Sequence, residues 1–521
     1  MKKMFMKQIS VIVLITILAG VFYGCGSSGN PNDGAEDGKT VVIGMPFFDE
    51  NIDPANNYNG WGTIRYGIGE TLVKIDENMS PQPWLASEYK MVDDNIWEFV
   101  IKDNVYFHDG EKMTAEHVKS SIERAIEKNT RAKDMLKDTL LSTDGNKLII
   151  ETATKDPILP DKLAESIFVI VNVNAADSQD FATKPICTGP YMVKEYNPKE
   201  SAIMVPFDKY WGGKAKLESV KYILIADGNT RMLALQSGEI DATMNLTAAG
   251  LEVFGQDDNF VIDKTTSMKL IYIMMNPNNE FLSDRRVRDA INHAVDREAM
   301  AEVTLSKTVV PTQTPYPKTL PFGSEKIAGY NFDIEKSKQL LKDAGFADSD
   351  GDGILEKNGK KLSLKLCNYP TRSEIPIIAQ YLQGELAKIG IEIELVGYEK
   401  LPVEQYQSGN FDLAFDGFSI ATSTDPKRLL DVAFSETASE NYIGYYKNDR
   451  VNEIVKLLET ESNIQKRSEL AYEAQKLIVE DGMNVFLCFS TNNIVRNKNL
   501  KNLYVHPLDY YQMNVDVDFN S

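Results

Sequence analysis

The residues best suited to chemistry gather in Phe411-Asp-Leu-Ala-Phe-Asp-Gly-Phe-Ser-Ile-Ala-Thr-Ser-Thr-Asp-Pro426. Phe411, Leu413 and Phe415 share one face at period two, which predicts a strand, and Gly417 ends the apolar run. Ser419, Thr422, Ser423 and Thr424 then offer hydroxyl groups, and Pro426 forces Asp425 away from helical geometry. Open α/β sheets bind ligands where loops leave the carboxyl ends of strands, so this loop suits non-covalent capture of a polar small molecule.

Covalent and metal chemistry find less support. His108, His117, His293 and His506 lie far apart, without an HExxH run or cysteines spaced for zinc. No GxSxG elbow occurs, and Gly38-Lys39-Thr40 has Asp33 where a P-loop needs its first glycine. Acidic residues are plentiful, but none stand out as a pair for glycoside hydrolysis. Asp348-Ser-Asp-Gly-Asp-Gly353 fits positions one, three, five and six of a calcium loop, yet position twelve is Gly359 rather than a bidentate glutamate. Glu356, at position nine, is a partial substitute, and the stretch reads as an acidic turn without metal. No catalytic residue, metal ligand or cofactor is expected.

The clearest unit positioning the loop is a βαβ crossover. Leu362, Leu364 and Leu366 alternate on a strand; Ile378, Tyr381, Leu382, Leu386 and Ile389 form a helical stripe; Gly390 ends it; Ile391, Ile393 and Leu395 alternate again. Lys269-Leu-Ile-Tyr-Ile-Met-Met275 is nearly all apolar, as in a strand buried on both faces. Thr114 caps a helix bearing Val118, Ile122 and Ala125, and Asn229 to Ser237 reads as a helix with Met232, Leu235 and Gln236 on one side. Helices near 449–460 and 463–481 precede a late strand at Val485-Phe-Leu-Cys-Phe489.

With 521 residues, two or three domains are expected. The N-terminus places them outside the cytoplasm: Lys2, Lys3 and Lys7 precede an apolar run, Val11 to Phe22, too short to span a membrane comfortably. Removing residues 1–24 deletes those three lysines and no acid, taking the net charge from −20 to −23. Such acidity argues against a nucleic-acid partner. Gly24-Cys25 resembles a bacterial lipoprotein signal, which implies lipidation at Cys25, and residues 25–40 read as a flexible tether. The remaining Cys187, Cys367 and Cys488 form no disulfide framework and read as small buried hydrophobes.

Several stretches, in order, resemble the family 5 solute-binding proteins of ABC importers, a family with peptide-binding and nickel-binding members. They are Asp53-Pro-Ala55, Trp84-Leu-Ala-Ser-Glu88, Val105-Tyr-Phe-His-Asp-Gly with Met113-Thr-Ala-Glu-His-Val, Thr188-Gly-Pro-Tyr191, Tyr210-Trp211, Gly238-Glu-Ile-Asp241, Asp284-Arg-Arg-Val-Arg-Asp-Ala-Ile and Ala294-Val-Asp-Arg297. His117 stands where the family usually has aspartate. The resemblance implies an α/β, two-lobed, periplasmic-binding-protein-like (type II) fold with mixed sheets and an additional inserted subdomain. Lobe I would combine 41–75, 187–275 and 485–521; the insert would be 76–186; lobe II would span 276–484, with a hinge near Met275 and Val485.

What the resemblance implies for function is capture of a small solute, a peptide first, and delivery to a membrane permease by a lipid-anchored monomer. Ligand contacts are expected at Tyr58, Asn59 and Trp61 on one lobe, and at Phe418, Thr422, Asp425 and Tyr442 on the other. Peptide-binding relatives commonly carry an aspartate in the loop matching 417–426; here Thr422 or Ala421 stands there, and Asp416 or Asp425 is the available replacement. The alternatives are a nickel or metal-chelate binder of the same family and a secreted hydrolase.

Overall fold

Two long neighbouring strands, Phe260–Met275 and Asn484–Asn497, run antiparallel near the middle of an 11-stranded sheet in the computed structural model. The structure describes residues 39–175, 180–323, 327–420, 422 and 425–520. In one direction the sheet continues through Ala242–Met244 and Thr40–Met45 to Ser219–Leu224, Ser201–Pro206 and Tyr191–Asn197. In the other it continues through Leu413–Ser419 to Ser363–Asn368 and Glu392–Gly397. Residues 260–266 pair with 491–497, and residues 270–274 with 484–489. Between these blocks the ladder breaks at Thr266/Leu270, and it shifts again at Ile271/Tyr272. Extra residues on one strand bend a sheet and raise its local twist, so the pair turns a corner there.

The expected crossover is present. Ser363–Asn368 and Glu392–Gly397 pair in parallel around the helix Glu374–Ala387, which buries Ile375, Ile378, Leu382 and Leu386. Leu413–Ser419 joins parallel to Ser363–Asn368 and antiparallel to 269–275. The alternation of Phe411, Leu413 and Phe415 suggests one wet face, but both faces are covered and residues 413–416 are all buried. The strand also continues past Gly417 to Ser419.

A separate four-stranded antiparallel sheet, in the order Ala86–Asp93, Ile96–Ile101, Lys147–Glu151, Leu140–Asp144, packs against the helix Ala115–Lys128. Thr114 caps that helix as expected, and the His117 ring accepts from the Thr114 backbone N–H at 3.2 Å, completing a capping box. The helix Gly228–Ser237 turns differently from its expected face: Arg231, Ala234 and Leu235 are buried, while Gln236 is exposed. Arg231 can lie inward because its Nη1 donates to the carbonyls of Ile225 and Ala226 at 2.7 and 2.8 Å. Cys187, Cys367 and Cys488 are buried and free, as expected.

Glu70 ties distant stretches together. Its fully buried carboxylate accepts from Thr188 Oγ1 (2.8 Å), the Tyr210 hydroxyl (2.8 Å) and Trp211 Nε1 (3.0 Å). Burial raises its pKa to about 7, against the opposing effect of these donors. Glu70→Ala should cost about 2 kcal/mol in urea unfolding, because the donors lose their acceptor while the half-buried Tyr210 and Trp211 regain some water. A loss below 0.5 kcal/mol, roughly the scatter of neutral surface changes, would show the network to be dispensable.

Candidate functional site

The strand Leu413–Ser419 carries an acid into the interior. Asp416 is 1 % exposed, accepts from the Tyr272 hydroxyl at 3.1 Å and from the Gly417 N–H at 2.7 Å, and faces Glu440. Burial, then the Asp416 charge, push Glu440 up to about 8; burial raises Asp416 too. At neutral pH Glu440 therefore keeps its proton and hydrogen-bonds Asp416. Glu440 Oε2 is buried without a donor among the described residues, consistent with a site that must borrow a proton.

Two arginines flank this pair and lower both acids' affinity for protons or that of Glu440 alone. Arg372 acts on both, and Arg428 on Glu440. Arg372 Nη2 donates to Gly417 O at 2.6 Å, and Arg428 Nε to Ser419 O at 3.2 Å. Gly417 makes the first contact possible: a Cβ there would sit 2.9 Å from Leu270 O and 3.3 Å from Arg372 Nε. Each arginine lines a cavity. Arg428 borders one of about 510 Å³ between residues 134–165 and 422–459; Arg372 borders one of about 700 Å³ between 245–249 with 490–493 and 304–308 with 371–377. Lys269, on the second wall, reaches Asp509 Oδ2 at 3.1 Å, and Asp509 also accepts from Arg65 at 2.7 Å. Volumes of this size hold a peptide or a compact chelate.

The expected ligand residues fall into groups. Phe418 lies edge-on to Tyr272, 6.5 Å between ring centroids, and Tyr442 is buried with its hydroxyl raised by burial and by Asp416 and Glu440. Both border the acid pair. Thr422 and Asp425 line the 510 Å³ cavity. Asp425 is already engaged there, accepting from the Lys427 N–H at 2.7 Å and pairing with Arg467. Tyr58 and Trp61 pack on each other at 4.9 Å, Trp61 stacks on Tyr510 at 6.3 Å, and both stay more than a third exposed. Tyr58 reaches the same cavity indirectly: Arg131 lies over its ring and pairs with Glu165 of the cavity wall. Asn59 stands apart, its amide donating to Asn51 Oδ1 at 2.5 Å in the turn before the helix Gly60–Arg65.

Arg372, Arg428, Glu440 and Lys269 were not singled out by sequence. An arginine beside a hydroxyl-rich loop is a weak signal, and Glu440 meets Asp416 only through the fold. The histidines serve structure: His108 and His506 bond the carbonyls of Gly189 and Asp76 at 3.0 Å, and His293 bonds Asn331 O at 2.7 Å.

This architecture is the α/β, two-lobed periplasmic-binding-protein-like (type II) fold with mixed sheets and an inserted subdomain. A family model described as bacterial extracellular solute-binding proteins, family 5 Middle, matches residues 80–441, and the chain belongs to that family. Among curated relatives, the nickel-binding protein NikA of Staphylococcus aureus is 26 % identical over 501 residues, covering 96 % of this chain and 97 % of its own. Among solved structures, a nickel ABC transporter protein from Bacillus halodurans superposes with TM-score 0.81 at 27 % identity, covering 92 % of this chain and 100 % of its own. The oligopeptide-binding protein AppA of Bacillus subtilis, solved with a nonapeptide, gives TM-score 0.70 at 26 % identity, covering 92 % and 99 %. No helix among the described residues is long and apolar enough to cross a membrane. Cys25 lies outside the described residues.

Proposed function

We propose that this chain is the substrate-binding component of an ABC importer, capturing a small peptide between its lobes and passing it unchanged to a membrane permease. The observation that carries the peptide is that Arg372 and Arg428, which flank the buried acids Asp416 and Glu440, each line a cavity of peptide size. A planar guanidinium suits a peptide's carboxylate or carbonyl, and acids behind the cavity walls would favour a ligand that also carries an ammonium. Phe418, Thr422 and Tyr442 would supply contacts from one side, with Tyr58 and Trp61 as an aromatic wall opposite; Asn59 and Asp425 would shape the site. The strands near Met275 and Val485 would be the hinge between lobe I (41–75, 187–275, 485–521) and lobe II (276–484), with 76–186 as the insert and the register breaks at Thr266/Leu270 and Ile271/Tyr272 bending the pair that crosses it. Lipidation of Cys25 would hold the monomer at the outer face of the cell membrane through the tether 25–40.

A second reading, a nickel chelate, is favoured by the names of NikA and the Bacillus halodurans protein. The histidines of this chain are committed to structural hydrogen bonds, so a metal would have to arrive with its own ligands. Native mass spectrometry of protein purified from peptide-rich medium is expected to show peptide masses. If it shows none, and nickel with excess histidine adds the mass of a complex, the peptide reading fails and the chelate reading takes its place.

A further inference from the structure

We propose that Glu165 anchors the ammonium group of the captured peptide, an inference that rests on the peptide reading above. Glu165 is 2 % exposed and lines the cavity of about 510 Å³, across from Thr422 and Arg428. Its Oε2 accepts from Arg131 Nη2 at 3.2 Å, but Oε1 is buried and has no hydrogen-bond partner among the described residues. Arg131 Nη1 is buried and unpartnered too, so the two side chains meet through one bond where a bidentate pair makes two. A carboxylate oxygen shut away from water without a donor is costly, and an ammonium brought in by a ligand removes that cost.

The fold holds the acid in place. The helix Leu159–Leu163, with Pro160 in its first turn, ends at Ala164, and Glu165 leads in extended conformation into the short turn Ser166–Phe168, whose three residues are all buried. A Cβ at Gly60 would collide with Ser166 O, so glycine there lets the helix Gly60–Arg65 pack directly on this turn. Tyr58, just before that helix, lays its ring 4.3 Å from the Arg131 guanidinium. An aromatic face that holds a guanidinium also suits an alkylammonium. Of the other acids on the cavity walls, Asp425, Asp431 and Asp156 pair with Arg467, Lys427 and Lys162. Asp134 and Glu459 are exposed, where water and salt screen them. Arg428, on the facing wall, offers its guanidinium to a peptide carbonyl or carboxylate, so a zwitterion held by Glu165 and Arg428 would tie residues 134–165 to residues 422–459.

The test uses the full mature chain, emptied by unfolding in guanidinium chloride and refolding, and an equimolar library of lysine-free tri- to pentapeptides, half of them N-acetylated. Native mass spectrometry of the retained peptides is expected to show free-amine members enriched about tenfold or more over their acetylated counterparts on the parent chain, and less than about twofold on Glu165→Gln. If Glu165→Gln does not refold, Glu165→Asp, which keeps the charge but draws it back by one methylene, takes its place and should lower the enrichment severalfold. Equal retention of free and acetylated peptides by the parent, or an undiminished preference in a folded variant, overturns the anchor and leaves the peptide reading standing. Retention of no peptide of either kind overturns the peptide reading and the anchor with it.

Discussion

Above pH 8 the variant Glu440→Gln is expected to be about 3 kcal/mol more stable than the parent chain, and at pH 5 the two should be nearly equal. Burial and the neighbouring Asp416 raise Glu440 to about 8 in the folded protein, from an ordinary 4.5. Between those values the folded chain holds a proton that the unfolded chain has released. Stability from this group is therefore present in full below about pH 4.5, falls as pH rises, and is gone above about 8. Glutamine supplies the N–H toward Asp416 permanently, which removes this part of the slope. Glu70, raised to about 7, leaves a smaller decline ending nearer neutrality in both proteins. Urea unfolding at pH 5, 7 and 8.5 reads the difference; parallel profiles for parent and variant would show that Glu440 holds no such proton.

Asp425→Ala should lose about 4 kcal/mol of stability. Arg467 and Asp425 are each 8 % exposed in their side chains, and their ion pair joins the loop to the helix Ile464–Asp481. Without the acid, Arg467 keeps the carbonyls of Leu458 and Glu461, at 2.6 and 2.8 Å, but its charge stays buried and unpaired. Asp425 was expected as a ligand contact, and the same variant separates that role from the structural one. A structural acid gives a chain that unfolds early yet binds normally when folded. Parent-like unfolding with weakened capture would make the ion pair unimportant and the ligand contact real.

The crossover from Leu362 to Leu395 could be read in sequence because local periodicity and Gly390 both pointed to it. The loop after Gly417 could be read because hydroxyl residues and proline cluster there. The acid pair could not. Asp416 sits in an apolar run where alternation suggests a wet face, and its partner Glu440 is brought in by the return of the chain through Glu440 N–H to Val432 O at 2.8 Å. Glu70 was equally hidden, although Thr188, Tyr210 and Trp211, the residues that bond it, all lay in stretches carrying the family resemblance. Sequence shows which segments matter; only the fold shows which side chain they converge on.

The late position of Asn484–Asn497 has a consequence for biogenesis. This strand pairs with Ala242–Met244 on one stretch and with Phe260–Met275 along its length, so both halves of the molecule lack a central strand until the ribosome has made nearly the whole chain. Contacts so distant in sequence form slowly. The central sheet is therefore completed only once residues 484–497 have been made, whereas the sheet of residues 86–151 and the crossover of residues 363–397 pair within their own stretches.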